Sequence, residues 1–392
     1  MLEAAVDRQC IADVPLGAFL SGGLDSSAVA ACMTRRGGPP VKTFSIGYAD
    51  HPRYDETNYA RLVARHLGTE HHEFRLTFAD VLAAVEPMLN HLGEPFADSS
   101  LLPTTVVSRH TRQHVTVALS GDGGDELFGG YWRYLGHHYL GRYRRLPALL
   151  RRGVLEPLLR LVPDARSTRG LDRLRQMRKL LRGDLPDPME RHLAWARFMD
   201  AGLAGELLGR ERASGGFAII QSIYREAASG GQWTSDGDPL QRILLADLGV
   251  GLPNDMLFKV DTASMYHALE VRVPLLSADL VRYVTGLPLE YKITGTTGKR
   301  ILRDAVRDLL PAQVLTRPKM GFEVPIGEFL RNELRDTYAS VVTPDALGEF
   351  GIDAAAAGRA FDDHLHRRHD RTELLWSLLV LCWWKRKEST SG

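Results

Sequence analysis

SGGLDSS, residues 21–27, lies between an apolar run at residues 14–20 and an apolar-periodic segment at residues 28–33. This order predicts a strand, a tight loop and a helix. Two glycines let the backbone approach a ligand closely, and the N–H groups at the start of the following helix favour an anion. The carboxylate of Asp25 would repel phosphate unless a divalent cation lay between them. The loop therefore favours magnesium-bound phosphate, with an ordinary Gly-Ser turn before a helix as the alternative.

A second glycine-rich stretch, SGDGGDE at residues 120–126, follows the apolar run at residues 115–119. Neither stretch is a Walker A loop, which needs a lysine, or the dinucleotide fingerprint G-x-G-x-x-G. In doubly wound sheets, ligands bind beyond the carboxyl ends of the strands, where the strand order reverses. If the first and fourth strands are neighbours there, the two loops face one crevice. Asp25 and Asp125 could then bind one magnesium ion.

The first 130 residues alternate between strand and helix patterns, which predicts an α/β fold with a doubly wound parallel sheet covered on both faces. Further strands are predicted at residues 41–48, 71–76 and 115–119, and helices at 56–67, 78–92 and 103–111. Three parts are expected: a nucleotide-binding core at 1–140, an Arg-rich helical insertion at 141–237, and a helical part at 238–392 that completes the active site. The Arg-rich segment is interpreted as a solvated helix face, with a docking surface for an acidic partner or substrate as the alternative.

The bulk composition is that of a soluble globular protein. The chain has 392 residues, a net charge of +1 and 44% hydrophobic residues, so no global field attracts nucleic acid or a membrane. Its cysteines, Cys10, Cys32 and Cys382, match no zinc or CxxC spacing and indicate a reducing compartment. The longest apolar run, residues 374–384, is too short to span a bilayer. A cytoplasmic location is expected.

Several charged residues in the second half of the chain lie within predominantly apolar sequence. Lys259, Asp261 and Arg272 are examples, and an internal ion-pair network is the preferred interpretation for Asp261, Glu270 and Arg272. Further on, Lys299 and Arg300 begin an apolar-periodic helix, and RPKMGF at residues 317–322 places Lys319 in a loop beside a glycine.

These motifs, in this order, resemble the C-terminal synthetase half of the glutamine-dependent asparagine synthetases and their relatives, which include β-lactam synthetases and lasso-peptide cyclases. The first loop resembles the pyrophosphate-binding loop of the ATP pyrophosphatases. The resemblance covers almost the whole chain. The matching segments are LSGGLDSS at residues 20–27, FSIG at 44–47, HHE at 71–73, EPFADSS at 94–100, SGDGGDELFGGY at 120–131, KVDTASM at 259–265, EVRVPLL at 270–276 and RPKMGF at 317–322.

The resemblance implies ATP and Mg2+ as cofactors and assigns roles to matching positions. The residues implied to hold adenine and ribose are Leu20, Ile46, Ser120 and Gly121. Those implied to cradle the pyrophosphate are Ser21, Gly22, Gly23, Asp25, Ser26 and Ser27, with Asp25 and Asp125 as the magnesium ligands. Those implied to bind the acceptor substrate are Lys259, Asp98 and Ser99.

Two residues are implied to act in catalysis. Lys319 matches a lysine that neutralises charge at the α-phosphate, where a fixed cation would stabilise the pentacoordinate centre. Asp122 stands where many asparagine synthetases carry Glu and β-lactam synthetases carry Tyr, and it is the candidate for orienting or deprotonating the attacking amine. The alternative for Asp122 is a carboxylate that caps its own glycine-rich turn.

The chain departs from full-length asparagine synthetases at its start, where Leu2 stands in place of the catalytic cysteine of the glutaminase domain. We therefore expect no glutamine hydrolysis by that route, and nitrogen from ammonia, from a glutaminase supplied in trans or from an amine on the substrate. An excised fragment is the alternative. The aspartate-binding motif of other asparagine synthetases is also absent, so the sequence does not identify the acceptor substrate.

The function expected is an ATP-dependent amide-forming ligase that adenylates a carboxylate, most simply the β-carboxyl of aspartate. The alternatives are a related amidotransferase or cyclase acting on a saccharide acid, natural product or peptide, a tRNA-modifying ATP pyrophosphatase, and a non-catalytic ATP-binding partner subunit. A tRNA-modifying enzyme would be expected to add a nucleic-acid domain or sulfur-carrying cysteines. The expected partners are a small-molecule carboxylate and a nitrogen donor. The chain is also expected to form a homodimer and to bind neither nucleic acid nor a membrane.

Overall fold

The computed structural model describes residues 1–48, 57–151, 180–229, 237–317 and 324–391, with 153, 157 and 177. A five-stranded parallel sheet has the order β3-β2-β1-β4-β5. The predicted α/β fold with a doubly wound parallel sheet is therefore confirmed. The strands are Leu16–Phe19 (β1), Lys42–Tyr48 (β2), Glu70–Leu76 (β3), Val117–Leu119 (β4) and Glu270–Arg272 (β5).

The chain forms two compact units, and the first, Met1–His91 with Asp98–Tyr131 and Ala227–Val324, contains the sheet. Its α-helices are Leu2–Gln9, Leu24–Arg35, Thr57–Leu67, Phe78–Leu82, Val85–His91, Leu101–Arg112, Gly124–Phe128, Pro239–Ala246, Phe258–Met265, Ala278–Thr285, Leu289–Lys292, Arg300–Ala305 and Ala312–Thr316. The unit also contains a π-helix, Asp247–Leu257, and a 3-10 helix, Pro274–Leu276.

Among the described residues of this unit, buried apolar side chains form a larger and a smaller cluster. The larger cluster includes Ala18, Val29 and Leu119, and the smaller one includes Phe44 and Ala118. Removing these side chains from water is the main favourable term in fixing the strands. The first cluster also fixes the start of the helix Leu24–Arg35, because Leu24 and Ala28 are buried in it.

The second unit, Leu92–Ala97 with Trp132–Glu226 and Pro325–Gly392, is helical in the part that the structure describes. Side-chain caps begin several of its helices: Asp187, Asp200, Thr343 and Asp353 each accept a hydrogen bond from a first-turn backbone N–H. Its helices are Trp132–Arg144, Ala148–Leu150, Pro188–Ala196, Ala201–Leu208, Ile326–Arg331, Arg335–Val341, Pro344–Glu349, Ala354–Leu365 and Thr372–Ser391, together with most of Arg210–Ser229.

The two units divide the chain after residues 91, 97, 131, 226 and 324. The expected three-part division at residues 140 and 237 stays a prediction. Most of the predicted Arg-rich stretch lies outside the described residues. Within the described residues, no helix is both long and apolar enough to cross a bilayer.

The elements that differ from the sequence prediction include one expected helix and one strand of the sheet. The single helix expected at residues 78–92 is two helices, Phe78–Leu82 and Val85–His91. Pro87 has no N–H to donate to the carbonyl of Ala83, and its ring would clash there, so a continuous helix is interrupted. The strand β5 was not predicted. It has only three residues, and Glu270 and Arg272 pair with each other at 2.6 Å on it.

Glu270 and Arg272 form an ion pair, but the pair is not internal as the sequence analysis expected, because the Glu270 side chain is 54% exposed. Arg272 Nη1 also donates to the carbonyls of Gln9 at 2.8 Å and Ile11 at 2.7 Å, which ties the edge strand to the end of the first helix. Asp261, by contrast, is exposed to solvent.

Candidate active site

The two glycine-rich loops contact each other. Each follows the carboxyl end of a strand, and these strands, β1 and β4, are paired in parallel at the point where the strand order reverses. A Cβ added to Gly121 would lie 2.6 Å from the backbone nitrogen of Ser26, closer than real side chains approach. Glycine at position 121 therefore lets the second loop lie directly against the first.

Asp25 and Asp125 converge on one cation, the ammonium group of Lys299. Lys299 Nζ contacts Asp25 Oδ2 and lies 2.6 Å from Asp125 Oδ1. The Lys299 and Asp125 side chains are buried, and that of Asp25 is only 14% exposed. A buried charge is stable only when it is paired, so the lysine offsets much of the cost of placing two carboxylates together.

A hydrogen bond to the helix that follows the second loop holds the backbone at Lys299. Lys299 has a φ of 57° and is the N-cap of the helix Arg300–Ala305. Its backbone N–H donates to the carbonyl of Phe128 at 3.0 Å, so the helix that follows the second loop holds it. The sequence analysis recognised Lys299 only as a helix start. Its position directly after Gly298 is the one local signal that could have indicated a role in the site.

The first loop is held by its own hydroxyl groups. The Ser21 N–H donates to Ser26 Oγ at 3.2 Å, and the Gly23 N–H donates to Ser21 Oγ at 3.3 Å. Gly23 takes the N-cap position of the twelve-residue helix Leu24–Arg35 and has no side chain to cap it. A helix N-terminus of this kind, at the end of a buried strand, suits an anionic ligand. Ser27 is fully buried at the same helix start.

The residues expected near adenine and ribose lie on three adjacent strands or at their ends. Leu20 follows β1 and donates its N–H to the carbonyl of Phe44 at 2.7 Å, and Ile46 lies within β2. Ser120 follows β4 and donates its N–H to the carbonyl of Arg272 at 2.8 Å. Gly121 is the next residue. The structure thus brings these four residues to neighbouring strands, and their role in binding stays a prediction.

Asp122 lies against its own loop. The Ser120 hydroxyl donates to Asp122 Oδ2, and the Asp122 N–H donates to Ser120 Oγ at 3.1 Å. The backbone N–H of this turn is thus capped by the Ser120 hydroxyl, whereas the Asp122 carboxylate accepts from that hydroxyl. The contact fixes the carboxylate beside the glycine-rich loop, and its role in handling the amine stays a prediction.

The residues expected to bind the acceptor form a separate ion pair. Lys259 Nζ lies 3.1 Å from Asp98 Oδ2, and Lys259 is buried. Asp98 Oδ1 accepts the backbone N–H of Ser100 at 2.9 Å, and Ser99, between the two, is half-buried. Burial raises the pKa of Asp98, but the Lys259 ammonium and the Ser100 donors outweigh it, so the pKa of that carboxyl is below its usual value.

Lys319, the lysine assigned to the α-phosphate, lies outside the described residues. The nearest described residue before it is Arg317, whose Nη1 donates to the carbonyl of Ser21 at 3.2 Å. The described residues contain no group of three His, Cys, Asp or Glu side chains that could hold a metal ion. Asp25 and Asp125 nevertheless provide two converging carboxylates, which fit magnesium because this ion takes most of its other ligands from phosphate and water.

The sheet order and the two apposed loops define an α/β protein of the ATP-pyrophosphatase type. The family model described as asparagine synthase matches residues 1–386. The chain belongs to the asparagine synthase family, as the resemblance of its motifs predicted. The match extends from the first helix to the last and therefore includes every residue of the candidate site.

Two curated relatives illustrate the similarity. The chain is 36% identical over 389 residues to a putative asparagine synthetase [glutamine-hydrolyzing] of Mycobacterium tuberculosis, covering 98% of this chain and 56% of that protein. It is 29% identical over 372 residues to asparagine synthetase [glutamine-hydrolyzing] 1 of Bacillus subtilis, covering 95% of this chain and 56% of that protein. The chain thus spans little more than half the length of these relatives.

Proposed function

We propose that this chain is an ATP- and magnesium-dependent ligase that activates a carboxylate as its adenylate, releases pyrophosphate and transfers the acyl group to nitrogen. The observation that carries the proposal is the convergence of Asp25, Asp125 and Lys299 between two glycine-rich loops at the switch point of the sheet. Membership of the asparagine synthase family supports it.

In the first step of the proposed reaction, a carboxylate oxygen attacks the α-phosphorus of ATP, and the bond from that phosphorus to the bridging oxygen breaks. Pyrophosphate leaves with the electron pair. The first loop and the helix Leu24–Arg35 would hold the departing phosphates. Negative charge grows at the α-phosphate and on the leaving group, so a fixed cation that is already in place lowers the barrier.

Lys299 is the described residue best placed to supply that cation, since its ammonium group already lies between the two loops. The sequence analysis gave this role to Lys319. The two lysines need not exclude each other, because a triphosphate carries several negative charges. Asp25 and Asp125 would hold magnesium, which when bound neutralises phosphate charge.

In the second step, a nitrogen nucleophile attacks the acyl carbon, AMP leaves and the nitrogen loses a proton. Asp122 is the proposed residue for orienting that nitrogen or accepting its proton, because Ser120 fixes its carboxylate at the second loop. The nitrogen comes from ammonia, either free or released from glutamine. All three cysteines are free thiols, which fits a reaction in the cytoplasm.

The simplest acceptor is aspartate, activated at its β-carboxyl group to give asparagine. The names of the relatives support it. The Lys259–Asp98 pair adds a physical argument, because an ammonium beside a carboxylate matches the carboxylate and ammonium groups of an amino acid. The acceptor-binding roles of Lys259, Asp98 and Ser99 belong to this part of the proposal.

The experiment that tests the proposal is pyrophosphate release with ATP, magnesium and a panel of carboxylic acids, with ammonia or glutamine as the nitrogen source. Turnover with aspartate and ammonia is the expected result. Turnover only with a sugar acid or a peptide would show that aspartate is not the acceptor, and the proposed adenylation step would still stand. ATP binding without pyrophosphate release from any acid would instead favour the non-catalytic ATP-binding subunit.

A further inference from the structure

The guanidinium group of Arg317 touches the first glycine-rich loop from the far end of the chain. Its Nη1 donates to the carbonyl of Ser21 at 3.2 Å. The same group lies over the ring of Tyr59, with the guanidinium carbon 4.2 Å from the ring centroid. Stacking of this kind holds a guanidinium in one orientation and is favourable when the ring is partly desolvated.

Tyr59 also packs closely against the first glycine-rich loop. Gly22 has a φ of 71°, and a Cβ added to it would lie 2.5 Å from the backbone nitrogen of Ala60 and 2.6 Å from Tyr59 Cβ. Only glycine fits this approach. The loop is therefore bounded on one side by the backbone of the helix Thr57–Leu67, and the Tyr59 ring carries the guanidinium that binds the adjacent carbonyl of Ser21.

The segment that carries Arg317 is anchored to the helix that Lys299 begins. Arg303, in Arg300–Ala305, donates to the carbonyl of Leu315 and, at 2.9 Å, to that of Gly298. Val314 is buried in the larger apolar cluster. One continuous stretch of chain therefore places Lys299 against the two aspartates and Arg317 against the first loop.

We propose that Arg317, stacked on Tyr59, is a positioning residue that holds the first loop in the conformation that binds the pyrophosphate part of ATP. This inference rests on the proposed function. A hydrogen bond to the Ser21 carbonyl fixes the direction of the peptide at the start of the loop, and with it the N–H groups that follow. A loop held in advance loses less conformational entropy when the anion binds.

The inference makes a ligand-specific prediction, because AMP lacks the β- and γ-phosphates. In the full chain with magnesium chloride, Arg317→Met should weaken binding of ATP and of inorganic pyrophosphate by about tenfold, the worth of one contact to a charged group. Binding of AMP should not change. Isothermal titration calorimetry measures all three dissociation constants, and none of them needs the acceptor substrate.

The role of the ring is tested at the same time. Tyr59→Leu should cause the same loss as Arg317→Met, and Tyr59→Phe, which keeps the ring, should bind like the wild type. The double variant Arg317→Met, Tyr59→Leu should lose no more than either single variant, because the two residues act through one contact. Additive losses would overturn the proposal.

The control is Arg197→Met, which removes an arginine that lies 3.9 Å over the ring of Phe217 in the second unit. It should leave all three dissociation constants unchanged. Equal weakening of ATP, pyrophosphate and AMP in Arg317→Met would mean a general loss of structure and would overturn the positioning role. If the wild type does not bind ATP and pyrophosphate, the proposed function itself is overturned. If Arg317→Met binds ATP and pyrophosphate as tightly as the wild type does, only this inference is overturned.

Discussion

Lys299 Nζ lies 2.6 Å from Asp125 Oδ1 in the buried centre between the two glycine-rich loops. The same nitrogen contacts Asp25, so one ammonium group joins residues from three distant parts of the chain. The carboxylates repel each other without a cation between them. A cation is therefore a structural requirement of this centre as well as a proposed catalytic device.

Replacing Lys299 should destabilise the protein in a magnesium-dependent way. Lys299→Met leaves two buried carboxylates without their ammonium partner, a change that typically costs about 3–5 kcal/mol. We expect a lower Tm without magnesium and a larger gain in Tm on adding magnesium chloride than the wild type shows. Pyrophosphate release should fall by more than about a hundredfold even with magnesium present.

The matched control for that change is Lys292→Met. Lys292 is also buried in the first unit, and burial lowers its pKa to about 8, but its hydrogen bond is to the carbonyl of Thr285. Its replacement should leave the magnesium dependence of Tm as in the wild type. An equal magnesium response in the wild type and Lys299→Met would contradict the account of this centre.

Asp125→Asn should abolish magnesium-dependent turnover without unfolding the chain. The amide keeps the shape of the side chain and can still accept from Lys299, but it is a much weaker magnesium ligand than a carboxylate. We expect a fall in kcat of at least about a hundredfold and a Tm close to that of the wild type. Pyrophosphate release measured across a magnesium titration gives kcat, thermal unfolding gives Tm, and full activity would remove Asp125 from the metal site.

The Lys259–Asp98 pair should control the acceptor rather than the nucleotide. Lys259→Met removes the ammonium group that lies 3.1 Å from Asp98. The KM for aspartate should rise by about tenfold or more, while the dissociation constant for ATP stays the same. A variant with unchanged KM for aspartate, or with weakened ATP binding, would show that the pair has only a structural role.

Stability should fall as the pH falls below about 6.5. Burial lowers the pKa of His71, His110 and His114, so the folded protein binds fewer protons than the unfolded chain. The contribution of these imidazoles is complete above their unfolded pKa and is lost as the pH falls through their folded values. Denaturant unfolding at about pH 8 and about pH 5.5 measures the loss.

One histidine can be tested separately. The His114 ring lies 4.1 Å from that of His72 and 5.7 Å from that of Phe44, with Lys42, Glu70 and His110 as the other titratable or charged groups that influence it. His114→Phe keeps an aromatic ring and removes the proton site, so it should reduce the pH dependence. The same change at the exposed His138 should leave it unaltered. An unchanged pH profile in His114→Phe would refute this assignment.

The sheet and its loops could be predicted because their signals are local. An apolar run followed by glycines specifies a strand and a loop wherever it stands, and this was sufficient for β1, β4 and the stretches at 21–27 and 120–126. The strand β5 could not be predicted in the same way. Its three residues alternate Glu270 and Arg272 around one valine, a pattern typical of an exposed ion pair.

Lys299 could not be assigned from sequence because its contacts are not local. It lies 274 residues from Asp25 along the chain, and only the fold brings the two together. The same limit applies to Arg317 and Ser21, which are 296 residues apart. The motif containing Lys319 drew attention to the loop after Arg317, whereas the described cation of the centre belongs to a helix start.

The most direct test of the central claim is the identity of the nucleotide products, read by phosphorus NMR in a reaction with ATP, magnesium, aspartate and ammonia. The proposed roles, with the two loops binding the outer phosphates and Lys299 stabilising charge at the α-phosphate, predict AMP and pyrophosphate in equal amounts. Formation of ADP and inorganic phosphate would contradict the account, because the bond would then break between the two outer phosphorus atoms.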